Sequence, residues 1–239
     1  MDTHCAHNLQ IKCSDCRMNA LCLPLALEEN DIARLDDIVQ QGRPYQKEEH
    51  IYHAGSQFSS VFAVRSGCVK SYSITDNGQE QVTGFHLPGE LFGVDGIGSN
   101  RHTNSAIALE TSAVCEIPFH RLEELSLDIP NLQRHLFRLM SQEIINEQQL
   151  ISQLSKNSAE ERIATLLLSI SNRNQRRRLS GTRFRLPMTR ADIGNYLGLT
   201  VETVSRVFSR FQKLGLLEVE KKEIEILEVQ GLKNLANSP

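Results

Sequence analysis

Residues 189–215 read TRADIGNYLGLTVETVSRVFSRFQKLG. Thr189 is placed to cap a short helix, and Asp192 falls near that helix's positive end. Gly198 permits a tight turn, Thr200 can cap a second helix, and Gly215 closes it. Two short helices joined by a glycine turn predict a helix-turn-helix. The second helix divides into an apolar face, Val204, Val207, Phe208 and Phe211, and a polar one, Glu202, Ser205, Arg206 and Ser209. The polar face begins in the first turn, the part of a recognition helix that meets base edges. Glu202 can accept from a cytosine amino group, Arg206 can donate twice to guanine, and Ser205 can serve several acceptors. A solvated face carrying a Glu202–Arg206 pair is the plainer alternative. The turn, the caps and the surrounding charge favour DNA reading.

Charge is distributed to match. The chain of 239 residues has a net charge of −3, which by itself argues against nucleic acid. Residues 173–213, however, carry ten Arg/Lys against two acids, whereas residues 1–172 carry 13 against 22. A compact positive segment in an acidic chain is the footprint expected of a local phosphate-binding surface. Residues 172–186, NRNQRRRLSGTRFRL, read as a basic linker in which Arg176, Arg177 and Arg178 either touch phosphates or solvate a loop. Residues 216–227, LLEVEKKEIEIL, alternate like a small hairpin and read as a wing. Upstream, Ser158 and Glu161 fit a capping box that starts a helix through Ile163, Leu166, Leu167 and Ile170.

Before that box, residues 130–154 read PNLQRHLFRLMSQEIINEQQLISQL. Phe137, Met140, Ile144, Glu147, Ile151 and Leu154 fall on one seam with the spacing of a coiled coil. Such a helix is roughly 37 Å long at about 1.5 Å per residue. Glu147 is the misfit: in a symmetric pair of helices it meets its own copy, and like charges in a partly dry seam repel. The functional reading is a weakened dimer that a ligand elsewhere can tip. The alternative is a helix packed within one subunit, with Glu147 facing water.

The front of the chain has a different character. Leu27–Gln41 is expected to be helical, with Leu27, Ile32, Leu35, Ile38 and Val39 as its core stripe. From Arg43 to Pro118, short segments such as SVFAVRSG and SAVCEIP between Gly, Asn and Asp turns predict an antiparallel jelly roll or barrel. Cys13, Cys16 and Cys22 stand at C-x2-C-x5-C, a spacing that lets thiolates reach one metal centre, zinc or iron–sulfur. Spacing leaves the fourth ligand open among Cys5, Cys68, Cys115, His4 and His7, and a plain buried thiol is the ordinary fate of Cys68 and Cys115. The N-terminal MDTHCAHNLQIKC is polar, without the apolar core of a signal peptide, and no apolar run is long enough to span a bilayer. A cytoplasmic protein with reduced thiols and no membrane contact is expected.

Taken together, these residues resemble the FNR regulators, an oxygen-sensing branch of the cyclic-AMP receptor protein superfamily. The carriers are C-x2-C-x5-C at Cys13, Cys16 and Cys22, the later cysteine in ETSAVCEIP, the helix segment LMSQEI, and IGNYLGLTVETVSR. The resemblance runs from about residue 13 onward. It implies an α+β fold: an antiparallel β jelly-roll sensor domain, a long dimerisation helix and a C-terminal winged helix-turn-helix. It also implies Cys115 as the fourth ligand, beside Cys13, Cys16 and Cys22, of a [4Fe-4S] cluster. In such proteins the intact cluster favours a homodimer that binds double-stranded DNA at an inverted repeat of TTGAT. Oxygen degrades the cluster, and the dimer separates. Glu202, Ser205 and Arg206 match the base-reading positions, and the seam acid, usually Asp, is here the longer Glu147. The loop with Ile74, Thr75, Gly78 and Gln79 resembles a surface that touches RNA polymerase.

The expected organisation is a ligand segment over 1–29, a sensor domain over 30–128, a dimerisation helix over 129–156 and a DNA-binding domain over 157–239. The nearest alternative is activation by a cyclic nucleotide, through Pro88-Gly89-Glu90-Leu91 and Arg101, although His102-Thr103 departs from the small residues such a cassette uses. A zinc-structured DNA-binding protein is a second. An iron–sulfur redox enzyme is disfavoured, because no paired acid and base or second cofactor motif is present.

Overall fold

The computed structural model describes residues 11–236. Helix α1 (Glu29–Asp36) is followed by eight strands: β1 (Gln40–Gln41), β2 (His50–Tyr52), β3 (Ser60–Ser66), β4 (Val69–Ile74), β5 (Glu80–His86), β6 (Leu91–Phe92), β7 (Ser105–Ala108) and β8 (Ala113–Pro118). The expected helix over Leu27–Gln41 is therefore shorter than its apolar stripe. It ends at Asp36, and Gln40–Gln41 instead pairs with Cys115 and Glu116 at a sheet edge.

The strands form two antiparallel sheets, ordered β1-β8-β3-β6 and β2-β7-β4-β5, the expected jelly roll. Alternation along β3 and β8 serves two cores. Phe62, Val64 and Val114 face the barrel interior with Tyr52, Val69 and Phe92. Val61, Ala63 and Ile117 face outward, and Leu23, Leu35, Leu122, Leu125 and Leu132 cover them. That outer cover is made by the N-terminal arm, α1, α2 (Phe119–Asp128) and the start of α3.

Helix α3 spans Pro130–Lys156, 27 residues, or roughly 40 Å at about 1.5 Å each. Its buried residues are Leu132 and His135, both near its start. Beyond them Phe137, Ile144 and Ile151 are 64%, 55% and 66% exposed, an apolar stripe left uncovered by the other described residues. After Asn157 comes α4 (Ala159–Arg176), which opens with both bonds of the Ser158/Glu161 capping box. Then follow β9 (Arg183–Arg185), α5 (Arg190–Leu197), α6 (Val201–Lys213), β10 (Leu217–Glu220), β11 (Glu223–Ile226) and α7 (Val229–Ala236). The wing has three strands, ordered β10-β11-β9.

The basic linker is a correction. Asn172–Arg176 continues α4, because the apolar stripe of Ile163, Leu167 and Ile170 runs on into buried Ser171 and Asn174. Arg177 is buried against the sensor domain: its Nη2 donates to Glu90 at 2.7 Å and its Nε to the Pro88 carbonyl at 2.7 Å. Of the three arginines read as touching phosphates or solvating a loop, Arg176 and Arg178 are exposed and Arg177 is not. Arg162 joins two helix ends, donating to the carbonyls of Leu154 and Asn157 at the end of α3 and of Leu197 at the end of α5, each at 2.9 Å. A cation there complements the negative ends of α3 and α5.

Candidate metal centre and nucleic-acid interface

The N-terminal arm is wound tightly by short local bonds. A 3₁₀ turn covers Cys13–Asp15, the Cys22 amide returns to the Met18 carbonyl at 2.9 Å, and a second 3₁₀ turn follows over Leu23–Ala26. Two side chains tie it down. Asp36 Oδ1 accepts from the Cys13 amide at 2.6 Å. Gln41 accepts from the Ile11 amide at 3.2 Å and donates back to the Ile11 carbonyl at 2.7 Å. The result brings Cys13, Cys16 and Cys22 to the outer face of β8, where they and Cys115 line one cavity with Met18, Leu23, Leu35, Val39 and Ile117.

The electrostatics follow from this crowding. Burial first, then the Asp36 carboxylate and the neighbouring sulfurs, hold the Cys13 thiol far above its ordinary value. Burial pushes Cys22 up to about 12 and Cys115 to about 11, with other sulfurs of the set adding to each and Arg65 easing Cys115. As free groups these three thiols are protonated at neutral pH, so forming thiolates here requires a strongly positive centre among them. Among the described residues, no three Cys, His, Asp or Glu side chains gather tightly enough to hold a single metal ion.

Of the remaining candidates for a fourth ligand, Cys68 is placed elsewhere. It is fully buried in a different core, with Val82 and Phe85. Cys5, His4 and His7 lie outside the described residues. The cavity also backs onto α3: the 3₁₀ turn after Cys22 packs on this helix, and buried Leu23 shares a core with Leu132. His135 sits there nearly fully buried, close to the Cys22 backbone. Asp36, Gln41, Arg65 and His135 were invisible to motif reading, since each acts on a partner distant in sequence.

On the opposite part of the molecule, Thr189 and Asp192 complete a capping box on α5, and Thr200 Oγ1 accepts from the Thr203 amide at 3.2 Å to start α6. Gly198, at φ 63°, makes the left-handed turn between them. The Arg190 guanidinium lies 3.4 Å from the centre of the Phe208 ring and fixes one helix against the other. Val204, Val207, Phe208 and Phe211 are buried, while Glu202, Ser205, Arg206 and Ser209 face solvent. The Glu202–Arg206 pair does not form; Arg206 donates to Thr203 Oγ1 at 3.2 Å. The Glu202 backbone N–H and the Thr200 hydroxyl hold the Glu202 carboxyl below its ordinary value, so it is an acceptor.

The other predicted positions are also placed. Met140 and Glu147 are exposed along the stripe of Phe137, Ile144 and Ile151, and Leu154 is half-buried near the Gly198 turn. Ile74, Thr75, Gly78 and Gln79 form the exposed tip of the β4–β5 hairpin, closed by Thr75 N–H to the Gln79 carbonyl at 2.9 Å. The nucleotide cassette is otherwise engaged. Tyr52, Phe62, Phe92, His86 and His102 stack through the barrel interior, with Tyr52 and His102 centroids 3.8 Å apart. Arg101 donates to the Gly55 carbonyl at 2.7 Å, and Glu90 holds Arg173 and Arg177.

A jelly roll joined through a long helix to a capped helix-turn-helix with an outward polar face defines a DNA-binding transcription regulator, not an enzyme. Comparison with known proteins agrees. Residues 161–235 match the Crp-like helix-turn-helix domain and residues 42–128 the cyclic nucleotide-binding domain. The chain is 56% identical to the transcriptional activator protein FnrA of Stutzerimonas stutzeri, over 95% of this chain and 93% of that protein. It is 50% identical to the fumarate and nitrate reduction regulatory protein of Escherichia coli K12, over 95% and 90%. The solved structure of FixK2 from Bradyrhizobium japonicum matches with a TM-score of 0.77 at 31% identity, covering 84% of this chain and 99% of that one. The chain belongs to the CRP/FNR family, among the FNR-type regulators. No helix among the described residues is long and apolar enough to cross a membrane.

Proposed function

We propose that the chain is an oxygen-responsive global regulator whose Cys13, Cys16, Cys22 and Cys115 hold a [4Fe-4S] cluster that controls dimerisation and DNA binding. The observation that carries this reading is that those four side chains line one cavity, whose Leu23 belongs to the turn that packs on α3. Bound there, a [4Fe-4S] cluster supplies an oxygen-labile bond between the arm and β8. The chain's own residues do the rest. Asp36 and Gln41 hold the arm's backbone in place, and Arg65 offsets part of the negative charge of four thiolates. Leu23 packs the arm onto Leu132 of α3, whose exposed stripe packs against its copy in a homodimer. Glu147 opposes that pairing by repelling its partner, so the stability of the arm decides the balance. Two α6 helices then present Glu202, Ser205 and Arg206 to half-sites of a TTGAT inverted repeat about 34 Å apart. Ile74, Thr75, Gly78 and Gln79 at the hairpin tip are the contact surface for RNA polymerase.

Anaerobic purification, with an absorption spectrum and iron and sulfide counts before and after air, tests this reading. A brown protein with about four irons per chain, bleaching in air with loss of dimer, is the expected result. A colourless, air-stable zinc dimer would leave the DNA-binding half standing and refute the sensing half.

A further inference from the structure

The β4–β5 hairpin meets α5 through backbone as well as side chains. Strand β5 is the outer strand of its sheet, so one row of its N–H and C=O groups has no partner within that sheet. Asn195 supplies two partners: its Oδ1 accepts from the Val82 amide at 2.5 Å, and its Nδ2 donates to the Glu80 carbonyl at 2.6 Å. A primary amide carries the same donor and acceptor as a peptide unit, so one side chain completes the edge as a neighbouring strand would. Beside it Lys70, with its side chain only 10% exposed, donates to Asp192 at 3.0 Å and Glu80 at 2.5 Å. Asp192 is the same carboxylate that caps α5. Phe85 and Tyr196 pack with ring centroids 5.1 Å apart, and Val82 and Phe85 share one buried core with Val204 and Phe208.

We infer that Asn195, supported by the Lys70–Asp192 pair, is a positioning residue for DNA reading: it locks the helix-turn-helix to the sensor's hairpin with the polar face of α6 turned outward. In this docked arrangement Glu202, Ser205 and Arg206 are all exposed, so the lock leaves them free to meet a duplex. A reader docked in advance loses less rotational freedom on binding, and two docked readers in a dimer keep a fixed separation. The inference rests on the reading of α6 as the base-contacting helix.

The test uses the full chain, purified anaerobically, as Asn195→Ala, Lys70→Met and Lys70→Arg beside the unaltered protein. Asn195→Ala and Lys70→Met should weaken binding to a TTGAT inverted-repeat duplex about tenfold, the loss of roughly one charge-assisted or well-made hydrogen bond. Iron content and the monomer–dimer constant should stay unchanged, and Lys70→Arg should restore binding. Amide exchange at Val82 should be slow in the unaltered chain and faster in Asn195→Ala. Unchanged DNA affinity in both loss variants would overturn the inference, as would loss of dimer or iron in step with DNA binding. Should Asn195→Ala fail to fold, rapid exchange of the Val82 amide in the unaltered chain overturns the docking and slow exchange upholds it. If the unaltered, iron-loaded chain ignores the duplex, the operator reading fails, while the exchange data still decide the docking.

Discussion

Single residues carry the chemistry at both ends of the molecule. Cys115 reaches the arm's three cysteines only because β8 presents it outward, so Cys115→Ser should leave the fold intact and abolish iron loading, read as iron per chain after anaerobic purification. Arg206 has no ion pair among the described residues to give up on meeting a base, and Arg206→Ala should weaken operator binding by about 1–3 kcal/mol and relax preference at one base pair. His86 shows a third kind of residue effect. Burial in the ring stack lowers its pKa to about 4 from an unfolded value of 6.5. The unfolded chain therefore binds the extra proton first, and stability present at neutral pH falls as pH drops from 6.5 towards 4. That contribution is on the order of 3 kcal/mol. Denaturation midpoints across this window should slope less in His86→Gln than in the unaltered protein.

At the scale of elements, what was readable in the sequence was what the chain decides locally. Ser158, Thr189, Thr200 and Gly198 sit beside the backbone groups they cap or turn, and their structural roles follow from neighbours within a few residues. Arg173 and Arg177 show the limit. Their run of positive charge reads as a linker on phosphate, but Glu90, more than eighty residues earlier, draws both into the sensor domain and lets α4 continue. The three cysteines of the arm were legible by spacing, whereas spacing could not choose among the possible fourth ligands, because β8 and the arm meet only in the fold. Helix α3 carries the prediction proper to an element. Its stripe of Phe137, Ile144 and Ile151 has no cover among the described residues, and Glu147 is exposed on the same helix. Glu147→Ala should give a dimer in air without iron, visible by sedimentation as at least a tenfold tighter association, or about 1.4 kcal/mol. A variant that stays monomeric without iron would refute the role given to Glu147.

At the scale of the whole molecule, the jelly roll and the helix-turn-helix are joined by packed elements and by ion pairs that Lys70 and Glu90 make across to α4 and α5. The chain's own rings stack in the barrel interior, and Glu90 of the cassette is engaged by Arg173 and Arg177. Cyclic AMP should accordingly leave the melting temperature and DNA affinity where they were, measured at millimolar nucleotide. The capped edge of β5 has one more consequence. A strand edge with free N–H and C=O groups is a template for other chains. While α5 is docked, Asn195 blocks that template; a fragment ending after α3 would uncover it, leaving Val82 and Glu80 open to strands from neighbouring molecules. Such a sensor fragment should aggregate beyond the dimer, so the DNA reader doubles as the chaperone of the sheet on which it sits.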